Sequence, residues 1–415
     1  MSNQAPQTLK GFRDFLPTEK RKRDYISGII RKTYETHGFE PVETPTLEYA
    51  SLLLGKYGTE ADKLVYTFQD SGDREVGLRY DQTVPTARVL AQYKHLLPKY
   101  FRRYQIQNVF RAEKPQKGRF RELTQCDCDI FGSTSPLADA EILAVFYNVY
   151  KNIGLTDIQI IINDRQTLVQ TLSPFATEQT SVFSIIQSID KLDKIDEDSV
   201  IADLESKGLP HDEAVLALHT IQGTAMSDTL MAIKRAAIQL GIPKDALVFE
   251  PTLARGLDYY TGLIFESRVP DYTAGSLGGG GRYDNLIRQL GGEDTPAVGF
   301  AVGFDRTVEI AEQKGLIPQE GATAQVLVTV FDEAHAEKSF YIAQLLRNAG
   351  IKAEVYPETR DKLGKQLKYA NDRLMQFVII VGPDEAKENM AVIKNMKTGE
   401  EKKIPVDRLV NVLTS

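Results

Sequence analysis

Two alternating segments constrain this chain most: YQIQNVFRAE (104–113) and FRELTQCDCDIFG (120–132), separated by a basic Pro/Gly loop beginning KPQKG (114–118). Period-two patterning on both sides of a turn-forming loop predicts a long antiparallel hairpin. Arg111 and Glu113 then share one face. On the returning strand Gln125, Asp127 and Asp129 share a face, while Cys126 and Cys128 point the other way. If the charged faces coincide, the sheet presents two carboxylates, an amide and an arginine beside a loop with Lys117, Arg119 and Arg121. A buried sheet face carries charges only where they are paired or bind something. A solvent-facing hairpin with cross-strand ion pairs is the alternative. Because the thiols lie opposite the carboxylates, the cysteines read as small buried hydrophobes and not as metal ligands.

Composition narrows the class further. At about 100–200 residues per domain, the 415 residues suggest two or three domains. A formal charge of −7 excludes a uniformly basic nucleic-acid coat, so any RNA contact needs a local patch. Two cysteines exclude a disulfide framework and a four-cysteine zinc site. The five histidines (37, 95, 211, 219, 335) form no HExxH pair, and no dedicated metal site is expected. No apolar run approaches the length of about 18 residues that a membrane span needs, and MSNQAPQTLKGFRDF lacks an apolar signal core. A soluble cytoplasmic protein without membrane contact is the expectation.

The chain changes texture along its length. Residues 18–37 read as an amphipathic helix, with Ile26, Ile29, Ile30 and Tyr34 at helical spacing and Gly38 as its stop. Residues 1–165 are expected to form the first part of a principal domain. A polar, helix-forming stretch at 166–245 reads as a helical insertion. Strand character returns at 246–318, with a glycine-rich turn expected at 278–281. After a linker near 313–324, strand and helix alternate from 324 to 415, the pattern of a compact α/β domain. From Ala324 onward the net charge is +1 against −8 for the remainder, with Arg360, Lys362, Lys365, Lys368 and Arg373 read as one basic helix. A solvated helix face is the plainer reading of that cluster.

Three further clusters carry chemistry. LARGLDYYTGLIFES (253–267) compresses Arg255, Asp258, Tyr259 and Tyr260 before an apolar run; one arginine beside two tyrosines is also common at protein interfaces. LGGGGRYDNLI (277–287) lets backbone approach a ligand closely, but matches neither GxGxxG nor GxxxxGK[ST]. In VGFAVGFDRTVEI (298–310) a small-residue strand meets a helix with Asp305 and Arg306 at the junction, where an arginine suits a phosphate or a base. A charged pair capping a helix is the alternative there.

Together these stretches resemble a known family. GFEPVETP (38–45), the FRAE…GRFRELTQCDCD hairpin and GFAVGFDR are similar to motifs 1, 2 and 3 of class II aminoacyl-tRNA synthetases, and RGLDYYTG and GGGGRYDNL resemble signatures of the histidyl-tRNA synthetase family. LRYDQTVPTAR (78–88) is similar to that family's amino-acid-binding segment. The resemblance runs from GFRDFLP to the last helix. It implies an α+β fold: an antiparallel catalytic sheet of six or seven strands flanked by helices, a helical insertion, and a C-terminal α/β anticodon-binding domain. It also implies a homodimer built partly through motif 1, with ATP, histidine and tRNA-His as substrates and Mg2+ bridging phosphate oxygens.

Residue by residue, the resemblance gives Arg111 and Arg255 to the α-phosphate as the catalytic cations. It places Glu113 near adenine, Arg306 stacked on it, and Arg119 toward the outer phosphates. Asp129 and Tyr260 would read the two imidazole nitrogens with Tyr259 beside them, and Asp81, Thr83 and Gln125 would hold the α-ammonium. Leu123 departs from the family's usual phenylalanine against adenine. A non-catalytic paralogue that binds histidine and regulates an ATP phosphoribosyltransferase is the alternative. Such paralogues generally lack the C-terminal domain and erode RGLDYY, both of which are intact here.

Overall fold

The computed structural model describes residues 6–54, 64–114, 120–255, 259–270, 272–273, 275–289, 292–318 and 323–414. Lys117, Arg119 and Asp258 lie outside the described residues. The chain divides into two compact units, Met1–Ile317 and Pro318–Ser415.

In the first unit, a helix Pro17–Thr36 leads through Gly38 (φ +74°) into β1 (Glu40–Pro41). Strands β2 (Leu47–Tyr49), β3 (Thr67–Gln69) and β4 (Glu75–Leu78) form a small sheet of order β2-β4-β3. The principal sheet adds β5 (Phe101–Phe110), β6 (Glu122–Phe131), β7 (Gln159–Asp164), β8 (Leu247–Phe249), β9 (Leu263–Arg268), β10 (Gly278–Arg282) and β11 (Ala297–Gly303). Its order is β1-β5-β6-β11-β10-β9-β7-β8. Eight strands therefore replace the six or seven expected, and the sheet is mixed at its margins: β1 runs parallel to β5 and β8 parallel to β7. The six central strands pair antiparallel throughout.

One face of this sheet is a packed core. Helix Pro136–Ile153 starts on a Ser135 cap with proline in its first turn and stops at Gly154 (φ +105°). It lays Leu143, Phe146 and Tyr150 on the sheet. The Phe146 ring meets Phe265 at 5.1 Å and Phe300 at 4.9 Å, both edge-on. Cys126 and Cys128 are fully buried in the same layer, and burial pushes both thiols well above their ordinary value. Tyr34 of the first helix donates its hydroxyl proton to the Cys126 carbonyl at 2.9 Å, tying that helix to β6.

The opposite face is built on different terms. Register places Arg103, Asp129, Gly299, Gly281 and Ile264 in one row across β5, β6, β11, β10 and β9. Gln105, Asp127, Ala301, Gly279 and Glu266 form the next row. Strand β11 shows the logic within seven residues: Val298, Phe300 and Val302 face the core, while Gly299, Ala301 and Gly303 leave the other side bare. The glycine run 278–281 is thus not the turn that its composition suggests. It is a strand, and none of its four residues has a positive φ. What glycine supplies here is room, not backbone freedom.

Between β7 and β8 run five longer helices, Arg165–Leu172, Val182–Ile189, Glu197–Ser206, His211–Gln222 and Asp228–Gln239. The first four bury Leu168, Ile186, Leu204 and Leu218 in a cluster shared with Tyr260 and Tyr283 on the bare face. The fifth sends Leu230, Ile233 and Ala237 into the main core.

The second unit has five strands in the order β13-β12-β14-β15-β16: β12 (Val326–Val328), β13 (Ala353–Val355), β14 (Phe377–Ile380), β15 (Met390–Asn395) and β16 (Glu401–Pro405). The first three pair parallel, as strand–helix alternation requires, and the last two antiparallel. A short helix Pro383–Glu388 joins β14 to β15. The expected basic helix is shorter than read, Leu363–Asp372, with Arg360 and Lys362 ahead of it. Two of its cations are engaged in ion pairs, Arg373 with Glu354 at 2.8 Å and Lys365 with Asp361 at 2.7 Å.

Gly299 tests the bare face directly. A Cβ there would fall on the Asp129 carboxylate and lie 2.7 Å from the Cys128 carbonyl oxygen. Gly299→Ala is expected to cost about 1–3 kcal/mol, as overpacking does, read as a lower denaturation midpoint. An unchanged midpoint would show that the face has slack.

Candidate active site

A cleft of about 430 Å³ opens over the bare strands, lined by Arg111, Glu113, Leu123, Gln125, Arg255 and Arg306, with Gly278, Gly279 and Ala301 in its floor. Five of the sequence-derived nucleotide and amino-acid contacts thus meet in one place. Arg119 lies outside the described residues. Arg111 is held where the hairpin ladder ends: its N–H donates to Arg121 O at 2.8 Å, and its guanidinium lies 4.7 Å from the Tyr80 ring. Arg306 sits in the first turn of helix Phe304–Gln313 and donates to Ser276 O at 3.0 Å. Arg255 has φ +54°, a left-handed conformation uncommon outside glycine, and pairs with Glu266 at 3.2 Å. A Cβ on Gly279 would come within 3.0 Å of the Arg255 guanidinium carbon. The glycine therefore makes the space that the arginine occupies.

The remaining predicted residues do not line this cleft: Tyr259, Tyr260 and Asp129 are joined through Tyr283 in a network beside it, and Asp81 and Thr83 stand at a helix start. The Tyr260 hydroxyl is in hydrogen-bond contact with Tyr259 and accepts from Arg255, and a Cβ on Gly281 would come 2.8 Å from the Tyr260 ring. The Tyr259 ring touches Tyr260 at 4.8 Å and Tyr283 at 5.8 Å. Tyr283 in turn donates to Asp129 Oδ1. Asp81 is nearly buried and accepts from the Val84 N–H at 3.2 Å, anchoring the start of helix Thr83–Tyr93, whose first residue is Thr83.

Arg103 and Tyr283 are the partners that sequence reasoning missed. Arg103 is fully buried, 2.7 Å from Asp129 and 4.0 Å from Asp127. Parity could have found it, since it shares the face of Arg111 and stands directly opposite Asp129. Two carboxylates thus share one guanidinium, with Asp81 acting on both. Burial pushes Asp127 well above the ordinary carboxylate range, Arg103 pulls against it, and Asp129 and Asp81 push it further. Asp129 moves the same way, again through burial, opposed by Arg103 and by the Tyr283 hydrogen bond. Asp127 Oδ1, Gln82 Oε1 and Gln125 Oε1 are buried with no hydrogen-bond partner among the described residues. Acceptors left waiting in this way suit a cationic ligand with several N–H donors.

That arrangement has a stability signature. Between the ordinary carboxylate value of 3.8 and its raised folded value, Asp127 keeps its proton in the native state while the unfolded chain has lost it. Stability attached to this group is therefore full below 3.8 and falls as pH rises through that window. Asp127→Asn is expected to melt a few degrees above the parent protein at neutral pH, with the gain vanishing as pH falls below the ordinary carboxylate value. Melting curves across pH check this; a variant less stable at neutral pH would contradict it.

Comparison with known proteins agrees with this geometry. The family model for histidyl-tRNA synthetase matches residues 11–307, and that for the anticodon binding domain matches 325–415. A histidine–tRNA ligase of Bacteroides fragilis is 38% identical over 99% of each chain. The crystal structure of histidyl-tRNA synthetase from Nostoc sp. PCC 7120 superposes with TM-score 0.86 at 29% identity, covering 99% of each chain. A Bacillus halodurans structure titled as an ATP phosphoribosyltransferase regulatory subunit/histidyl-tRNA synthetase has TM-score 0.72 at 20% identity, covering 92% of this chain and 98% of its own, a likeness of fold alone. With a family model spanning most of the chain and a close relative along its whole length, the chain belongs to the histidyl-tRNA synthetase family.

Proposed function

We propose that this protein activates histidine with ATP and transfers the histidyl group to the 3′ end of tRNA-His. One observation carries the reading: Arg111, Arg255 and Arg306 converge on a single cleft, beside a buried network of carboxylates and phenols. In the first step the histidine carboxylate attacks the α-phosphorus and pyrophosphate leaves. In the second, the terminal ribose hydroxyl of the tRNA attacks the acyl carbon and AMP leaves. Negative charge builds on the α-phosphate oxygens during the first step, so fixed guanidinium groups stabilise the transition state without reorganising. Arg111 and Arg255 take that role from two sides. Glu113 and Arg306 hold the adenine, with Leu123 beneath it; Phe120 and Phe304 line the same cleft. Arg119 belongs to the outer phosphates, and Mg2+ arrives with the nucleotide as part of the substrate.

Histidine recognition follows from the proton inventory. A neutral imidazole offers one donor and one acceptor. Tyr260 takes a guanidinium N–H of Arg255 on its oxygen, and its own proton is assigned to the ring. Asp129, braced by Arg103 and Tyr283, accepts from the other ring nitrogen. Asp81, Thr83 and Gln125 take the α-ammonium. A homodimer built partly through residues 38–45 suits the small sheet nearby, which exposes Tyr49 and Phe68. Residues 360–373 of the second unit are our candidate for the anticodon arm and the 114–121 loop for the acceptor end. Among the described residues no helix is long and apolar enough to cross a membrane, which accords with a cytoplasmic setting.

Pyrophosphate exchange into ATP is expected to depend on histidine and on no other common amino acid, followed by charging of purified tRNA-His. Exchange with glycine, proline or threonine instead would discard the assignment, and histidine binding without exchange would favour the regulatory reading. Arg255→Ala is expected to lower the activation rate by about 10²–10³-fold while histidine binding, measured by calorimetry, stays largely intact. Lost binding with normal turnover would contradict the role given to Arg255.

A further inference from the structure

The segment GFRDF (11–15) lies outside every motif assigned so far, yet it reaches the wall of the nucleotide cleft. Gly11 (φ +92°) turns the chain so that its carbonyl accepts the Arg121 N–H at 2.9 Å, and Lys10 O accepts from the Arg121 guanidinium at 3.3 Å. Arg121 also donates through Nε to Glu113 O at 3.0 Å and, through its own carbonyl, holds the Arg111 N–H at 2.8 Å. The base of the hairpin loop is thereby clamped by backbone from the N-terminal segment.

Arg13 adds the side-chain half of the clamp. Its guanidinium carbon lies 3.3 Å from the centre of the Phe120 ring, a stacking contact. Its Nη2 is 2.7 Å from Asp305 Oδ1. Phe120 and Asp305 both line the cleft, one on the hairpin arm, the other next to Arg306 at the helix start. Arg23 reaches the same carboxylate oxygen at 2.6 Å and Thr124 at 3.0 Å, while Asp305 Oδ2 is buried with no hydrogen-bond partner among the described residues. Two arginines on one carboxylate leave a net positive charge on this wall; Arg23 ties Asp305 to Thr124 within β6, and Arg13 ties it to Phe120, nearer the loop. Lysine carries the charge but not the plane.

We infer that Arg13 is a positioning residue for the nucleotide: stacked on Phe120 and paired with Asp305, it fixes the spacing between the arm that carries Arg111 and Glu113 and the helix start that carries Arg306. The inference rests on the nucleotide reading of that cleft. Loosening such a shell misplaces groups that never touch the substituted residue. Histidine recognition rests on other residues and is left alone.

The experiment is histidine-dependent pyrophosphate exchange with Arg13→Ala and Arg13→Lys, with ATP and histidine varied separately. Arg13→Ala is expected to raise the KM for ATP about tenfold or more, with the KM for histidine within about twofold of the parent protein. Arg13→Lys, which keeps the ion pair and loses the stacking, is expected to fall between the two. If Arg13→Ala does not fold, Arg13→Lys alone carries the test through the same split between the two substrates. Parallel rises in both KM values, or no rise for ATP, would overturn the inference and leave the activity standing. A parent protein without histidine-dependent exchange would overturn the activity itself.

Discussion

Everything at the cleft depends on central strands that give up their side chains on one face. Sheet geometry delivers two faces whether or not both are wanted. Here β11 loads one with Val298, Phe300 and Val302 and leaves the other to Gly299, Ala301 and Gly303. The missing side chains are not a saving in bulk alone. Gly279 yields its place to Arg255, Gly281 to Tyr260 and Gly299 to Asp129, so each cleared position corresponds to one polar group standing over the sheet. A glycine inside a strand weakens it by lost packing and greater backbone entropy. The dense aromatic layer on the reverse side, Phe146 against Phe265 and Phe300, compensates in the same strands.

The polar groups on the bare face are coupled, not independent. Arg103 alone, fully buried, stands between two carboxylates at unequal distances, and the closer one is also held by Tyr283. A buried ion pair repays its desolvation only with good geometry and further hydrogen bonds. Asp129 is held at Oδ1 by Tyr283, while its Oδ2, 2.7 Å from Arg103, and Asp127 Oδ1 both lack a hydrogen-bond partner among the described residues. The unpaired acceptors of Asp127, Gln82 and Gln125 gather near the same strands, and so does the strained backbone of Arg255. Concentrated strain and unsatisfied polarity of this kind belong to a surface shaped for a ligand more than for its own stability.

How much of this was legible in the sequence follows from which forces are local. Alternation is local, so the hairpin, the buried thiols and the shared face of Gln125, Asp127 and Asp129 could be read from 104–132. The strands of the second unit were legible from their alternation with helices. Gly278–Gly281 misled, because composition marks glycine as a turn former while a strand interior needs a bare surface only when its neighbours are known. Arg103 was missed because its significance lies in register with a strand over twenty residues away. Arg360 and Lys362 looked helical by charge spacing, but backbone geometry starts that helix at Leu363. The roles of Asp129 and Tyr260 came from the resemblance; their bracing by Arg103, Tyr283, Tyr259 and Arg255 came only from three-dimensional placement.

The network also explains why two tyrosines stand side by side at 259 and 260. Consecutive residues in extended backbone point to opposite sides, so adjacent phenols would not ordinarily share a ligand. Here the rings meet at 4.8 Å and the two hydroxyls are in hydrogen-bond contact, so the pair stands over the sheet as one unit. Burial raises the pKa of both, so neither is ionised at neutral pH and each brings one proton to the site. Arg255 donates to the Tyr260 oxygen from the other end. The Tyr260 ring is also placed by Tyr259 beside it and by the space that Gly281 leaves, so the phenol assigned to the imidazole keeps its position independently of the cation assigned to the phosphate.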